Sequence, residues 1–185
     1  MYLYSGFRTW HHGLSKRGTY RFGRSTLGHM SKKHATFESP LGTLTVLFDG
    51  GRVVGLYQED QPNIPSDLGE YDPSLRFHPA AAELHRYFIS HSPITTDTKV
   101  EGTAFQNKVW KAVSEIPFGK TVTYGELAET IGSPKSVRAV ASAVAANPIT
   151  VIIPCHRVVS SNGAVKYSGG EKNKRYLLAH EGIAA

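Results

Sequence analysis

Cysteine is nearly absent from this sequence: one, Cys155, stands among 185 residues. No internal disulfide can form, and no zinc site can be built from several thiolates. A lone thiol suits a reducing compartment inside the cell. No run of about 18 apolar residues occurs, so no transmembrane helix and no membrane partner is expected. Acidic residues are missing from residues 1–34, which hold seven Lys or Arg (Arg8, Lys16, Arg17, Arg21, Arg24, Lys32, Lys33). That segment also lacks helical or strand periodicity and reads as a disordered basic tail. Its composition fits a mitochondrial transit segment as well, and Met30 offers a second start directly before Ser31-Lys32-Lys33. Trp10-His11-His12 has no third ligand near it, and no metal is expected.

What the chain does contain is ordinary in bulk and uneven in detail. A hydrophobic content of 40% and a charged content of 19% describe a globular protein, long enough for one large domain or two small ones sharing a core. The net charge of +6 is spread unequally. Residues 35–100 carry four basic and nine acidic residues, whereas residues 101–185 carry ten basic and six acidic. A positive half beside an acidic one suits a face offered to a polyanion, although a solvated charged surface gives differences of this size too. Three segments follow: the tail 1–34, an N-terminal α/β scaffold 35–100, and a C-terminal unit 101–185.

Residues 36–60 read as a β-hairpin, Thr43–Phe48 and Arg52–Tyr57 flanking the turn Asp49-Gly50-Gly51. The Pro-containing acidic stretch 59–78 reads as a loop, and Ala80–Ser90 as a short amphipathic helix with Ala80, Leu84, Tyr87 and Phe88 inward. Residues 91–102 link the halves. Thr103 is a plausible N-cap for a helix whose Phe105, Val109, Trp110, Val113 and Ile116 form a core stripe, and Pro117-Phe118-Gly119 stops it. Thr123–Gly132 forms a short helix, Ser133-Pro134 a cap with proline at the first helical position, and residues 135–146 a second helix. Such a pair is either a helix-turn-helix or an ordinary helical hairpin. The second helix bears small side chains and, apart from Arg138, none that reads base edges, so it can approach a nucleic acid closely while reading little sequence.

The chemistry concentrates in Asn147-Pro148-Ile149-Thr150-Val151-Ile152-Ile153-Pro154-Cys155-His156-Arg157-Val158-Val159. Pro154 biases Ile153 towards extended geometry, so an apolar segment ends abruptly and sets Cys155 at a fixed point. Free cysteine is commonly a small buried hydrophobe. Consecutive His156 and Arg157 between apolar runs point instead to a reactive thiol, since cations nearby favour the thiolate. Burying both would be costly unless they were paired. A cysteine hydrolase would also use Cys and His, but no oxyanion-hole glycine motif accompanies Cys155. A non-catalytic DNA-binding module would leave Cys155 without a purpose.

Ile153-Pro154-Cys155-His156-Arg157-Val158 resembles the active-site signature of the O6-alkylguanine-DNA alkyltransferases, DNA repair proteins that take an alkyl group onto a cysteine. Arg138-Ala139-Val140, Asn147-Pro148, Tyr167-Ser168-Gly169-Gly170 and Leu177-Leu178-Ala179-His180-Glu181-Gly182 support the likeness, and Ser39-Pro40-Leu41-Gly42 resembles the family's lead-in to its sheet. The resemblance covers roughly residues 36–182. It implies an α/β (α+β) fold: a small N-terminal α/β domain around a hairpin-containing sheet, then a mainly helical domain with helix-turn-helix and active-site loop.

It also implies roles. Cys155 accepts the alkyl group irreversibly from O6-alkylguanine, or O4-alkylthymine, in double-stranded DNA, in a single turnover, after the nucleotide is flipped out. His156 takes the thiol proton through a water and Glu181 orients the imidazole. Tyr124 crowds the target phosphate and donates to the guanine ring. Arg138 fills the space left in the duplex, with Lys135, Ser136, Ala139 and Ser142 also at the DNA. Asn147, Val158, Val159, Tyr167, Ser168 and Gly169 are expected around the guanine, Asn147 by fixing the turn. No cofactor is implied, and a monomer is expected, in the nucleus of a eukaryote or the cytoplasm of a prokaryote. The chain departs from the family pattern at Lys166, Ala141 and Ser142, where glycine is usual, and at Thr150, where some members have a pocket proline; loop shape and acceptance of bulky alkyl groups turn on these positions.

Overall fold

A computed structural model describes residues 32–59, 61–162, 164 and 166–184. The tail through Ser31, with Met30 and Trp10-His11-His12, lies outside the described residues. The expected hairpin forms as β2 (Gly42–Asp49) and β3 (Arg52–Gln58), with a bulge near Leu47/Phe48. A strand not expected from the sequence, β1 (Lys33–Ser39), pairs antiparallel with β2 from Lys33↔Phe48 to Ser39↔Gly42. It starts two residues inside the segment taken as tail. Only Ala35 of β1 is buried, so its side chains gave no apolar alternation to read. Ser39-Pro40-Leu41-Gly42 is the tight turn between β1 and β2, closed by a bond from Ser39 Oγ to the Gly42 carbonyl.

The stretch 59–78 is a loop interrupted twice. β4 (Glu70–Tyr71) adds parallel to β1, giving the sheet order β3-β2-β1-β4, and Pro73–Phe77 forms a 3-10 turn capped by Asp72. Helix α1 (Pro79–Ser90) starts from His78, whose ring Nδ1 accepts from Ala80 N. Its Ala80, Leu84 and Tyr87 pack into one core with Leu44, Val46, Phe48, Val53 and Leu56 of the sheet. That core continues without a break into the C-terminal helices through Val109, Trp110, Val140, Ile149 and Leu177.

Helix α2 (Ala104–Ser114) carries the expected Thr103 cap, and Gln106 completes a reciprocal capping box. Val109, Trp110, Val113 and Ile116 are buried, while Phe105 is half-buried. Trp110 Nε1 donates to the Ala143 carbonyl at 2.8 Å, tying α2 to a later helix. Helix α3 (Tyr124–Thr130) begins with a second capping box, Thr123 with Glu126. Gly132, at φ +66°, takes the left-handed conformation that ends it. The cap expected from Ser133 does not form: its side chain makes no capping bond, and Pro134–Ser136 is a 3-10 turn, so α4 (Val137–Ala145) starts later than residue 135. A short parallel pair, β5 (Val122–Thr123) with β6 (Val158–Val159), and helix α5 (Glu171–His180) complete the fold. Among the described residues no helix is long and apolar enough to cross a membrane.

Candidate active site

The segment leading to Cys155 first docks on the sheet and then turns twice. Pro148 and Thr150 exchange backbone bonds with Leu56, and Thr150 Oγ1 adds a third at 2.9 Å. Thr150 is fully buried there and is not among the residues lining the pocket described below. The chain does not stay extended towards Pro154. Ile152 N bonds the Thr150 carbonyl around Val151, which sits at φ +70°, a strained position for a β-branched residue. Cys155 N then bonds the Ile153 carbonyl around Pro154, at φ −80° and ψ 62°, an inverse γ-turn. Cys155, His156 and Arg157 form one 3-10 turn beyond it, all three buried.

Asn147, at the end of α4, holds this loop from inside. Its Oδ1 accepts from Ile149 N, and its Nδ2 donates to the Ile153 carbonyl and to Cys155 Sγ, the last at 3.2 Å. Burial pushes the Cys155 thiol up, and the Asn147 bond, the Lys174 charge and the Tyr167 hydroxyl pull it back. The balance is upward, contrary to the expectation of a thiol lowered by His156 and Arg157. Arg157 turns away and spends its guanidinium on Glu181 and the Ile116 carbonyl. The cation acting on the sulfur is Lys174 of α5, which is buried with its ammonium on the Val158 and Lys166 carbonyls.

Glu181 is the hub behind the cysteine. Its carboxylate takes two bonds from Arg157, one from His156 Nε2 at 2.8 Å, one from the Tyr87 hydroxyl and one from Gly119 N. Five donations keep this carboxyl charged, well below the usual carboxylate range despite its burial. Burial also lowers His156, so the imidazole is neutral, with its proton on Nε2 facing Glu181. Among the described residues His156 Nδ1 is buried without a hydrogen-bond partner, and His156 makes no direct bond to Cys155. The pairing that burial of His and Arg demands is met by one residue, 24 and 25 positions away.

Cys155 lines a pocket of about 520 Å³ together with Tyr124 of α3, Arg138, Ala141 and Val144 of α4, and Lys166, Tyr167 and Ser168. Burial and the neighbouring sulfur push the Tyr124 phenol up, so it stays protonated and can donate. Ser168 Oγ is buried with no partner among the described residues. Asn147, Val158, Val159 and Gly169 are not among the lining side chains, and the Val158 carbonyl is already taken by Lys174. Of the residues expected at DNA, Arg138 is exposed at the pocket, whereas Lys135 and Ala139 are exposed on α4 and the turn before it, and Ser136 is half-buried. Ser142 is exposed, with its hydroxyl on the Arg138 carbonyl. Lys174 and Gln58 gave no sign in the sequence, since a lysine in an amphipathic helix or a glutamine ending a strand is ordinarily surface, and Tyr87 was legible only as a core residue, not as a partner of Glu181.

A family model described as the 6-O-methylguanine DNA methyltransferase DNA-binding domain matches residues 104–183. The chain is 37% identical over 151 residues to a methylated-DNA–protein-cysteine methyltransferase of Mycolicibacterium paratuberculosis, covering 80% of this chain and 92% of that one. The fold superimposes with a TM-score of 0.76 and 38% identity on a Mycobacterium tuberculosis O6-methylguanine methyltransferase, over 83% of this chain and 95% of that one. It superimposes with a TM-score of 0.73 and 37% identity on M. tuberculosis OGT in complex with DNA, over 80% and 92%.

Proposed function

The chain belongs to the methylated-DNA–protein-cysteine methyltransferase family, and from that premise we propose that it repairs O6-alkylguanine in DNA by taking the alkyl group onto Cys155. What carries the assignment of the acceptor is that the only cysteine lines a pocket of about 520 Å³ shared with Tyr124, Arg138, Tyr167 and Ser168. The base-pairing edge of guanine is buried in a duplex stack, so the nucleotide must rotate out into this pocket. Residues 101–185 supply the DNA-binding and acceptor unit, with α3 and α4 as its helix-turn-helix, and residues 35–100 the scaffold. Arg138, beside Lys135, Ser136, Ala139 and Ser142, stands in for the extruded base. Substrates are double-stranded, and O4-alkylthymine, with the same alkyl–oxygen bond, is the second lesion. The protein acts as a monomer, in the nucleus or cytoplasm according to its source.

In the reaction the thiolate attacks the alkyl carbon, the carbon–sulfur bond forms and the carbon–oxygen bond breaks. Negative charge then develops on guanine. Tyr124 donates to the ring nitrogen and Ser168 to the oxygen, neutralising that charge as it forms. The Cys155 proton leaves through a bridging water to His156 Nδ1, while Glu181 holds the ring by Nε2. The product is a neutral thioether that no neighbouring group can cleave, so each molecule reacts once.

Incubation with a duplex bearing labelled O6-methylguanine, followed by peptide mapping, tests this. Label is expected on Cys155 at no more than one equivalent, and none with Cys155→Ala or Cys155→Ser. Repeated turnover, or label on another residue, sinks the proposal.

A further inference from the structure

Gln58 ends β3 and is only 2% exposed, with both sides of its amide engaged. Nε2 donates to the Tyr167 hydroxyl at 3.0 Å, and Oε1 accepts from Asn173 Nδ2 at 2.7 Å. Gly169 packs so closely against the same amide that a Cβ there would lie 2.1 Å from Oε1. The amide is thereby boxed in between the sheet, the pocket loop and α5. Tyr167 lines the same pocket as the nucleophile, and its hydroxyl is one of the groups that pull the Cys155 thiol down.

The sense of this chain matters. A phenol has one proton to give. While Gln58 Nε2 donates to its oxygen, that proton is free for the sulfur. Were the amide turned over, Tyr167 would donate to Gln58 and leave the sulfur with Asn147 as its side-chain donor. Asn173, donating to Oε1, holds the amide in the useful orientation.

We infer that Gln58 is a positioning residue, contributed by the N-terminal sheet, that directs the Tyr167 proton onto Cys155 and so makes the attacking thiolate more available. The inference rests on Cys155 being the alkyl acceptor.

The test is the pH midpoint for alkylation of Cys155 by iodoacetamide in the folded, full-length protein. Gln58→Glu presents only acceptors to Tyr167, and its midpoint should rise by about one pH unit or more, or about tenfold less thiolate at fixed pH. Gln58→Met, which neither donates nor accepts strongly, should give a smaller rise, and Asn173→Ala, which lets the amide turn over, a rise as well. In a Tyr167→Phe background Gln58→Met should add nothing. A mere bolt between sheet and loop would lower the unfolding temperature and leave the midpoint where it was. Asn173→Ala, at a half-buried site, keeps the test open should either Gln58 variant fail to fold. Wild-type midpoints in the folded variants, or a Gln58→Met shift undiminished without the Tyr167 hydroxyl, overturn the inference. Wild-type protein that takes no label from O6-methylguanine DNA overturns the proposed function instead, while the midpoint still reports on the hydrogen bond.

Discussion

Arg157 grips Glu181 through two bonds, Nε to Oε2 at 2.8 Å and Nη2 to Oε1 at 2.9 Å, with the carboxylate wholly buried. Removing the guanidinium leaves a buried charge without its counter-ion, so Arg157→Leu should cost about 3–5 kcal/mol at neutral pH. The pH dependence has a definite sign. Glu181 is held below its unfolded value, so its contribution is complete above about pH 4.3 and fades as the pH falls through the folded value. His156 is lowered by burial, so it adds stability above about pH 6.5 that is lost on acidification. Urea unfolding at pH 7 and pH 3 should show the gap between wild type and Arg157→Leu shrinking in acid. A gap of equal size at both would mean the pair is not what stabilises this corner.

Asn147 donates to the sulfur and to the backbone that carries it. Because burial raises the thiol, the reaction rate of wild type should climb with pH beyond the ordinary cysteine midpoint of about 8.5. Asn147→Leu should move that midpoint higher and slow transfer at pH 7 by about tenfold or more, as loss of a hydrogen bond to a charged group implies. Lys174→Met should shift it in the same direction. A wild-type midpoint below that of a free cysteine would contradict the burial argument.

Arg138 is exposed at the mouth of the pocket and makes no salt bridge among the described residues. If it replaces the extruded base, Arg138→Ala should slow repair of duplex DNA by about tenfold or more, at a cost of a few kcal/mol for unstacking. Reaction with free O6-benzylguanine should change little. Single-turnover rates on the two substrates decide the matter, and equal losses would remove Arg138 from the flipping step.

Val151 is buried in the left-handed region at φ +70°. Alanine ordinarily stabilises relative to glycine, but here the order should reverse. Val151→Gly should be about 1 kcal/mol more stable than Val151→Ala, because a Cβ in this conformation costs about 1–2 kcal/mol. Chemical denaturation of the two variants checks this, and an alanine variant equal to or better than glycine would show that the loop carries no such strain.

Much of the secondary structure was legible because it is locally encoded. The β2–β3 turn, the Thr103 cap and the stripe through Val109, Trp110 and Val113 each rest on neighbours within one turn or one hairpin. β1 escaped notice because its buried face presents Ala35 alone, and the late start of α4 because Ser133 and Pro134 support a 3-10 turn as readily as a helix. Cys155 could be singled out from Pro-Cys-His-Arg between apolar runs.

The sequence by itself determined the Thr103 cap, the hairpin and the requirement that His156 and Arg157 find partners, and it singled out Cys155 as the candidate nucleophile. Which partners they find was decided only in three dimensions. Glu181 receives His156, Arg157, Tyr87 and Gly119, and the sulfur answers to Lys174 and Tyr167, with Gln58 behind them, 109 residues from the tyrosine it holds. Spacing encodes contacts within a few residues, since helix and strand periods repeat over that range. Contacts across a hundred residues arise when separate apolar faces close on a shared core, and the polar groups carried along must pair where they land.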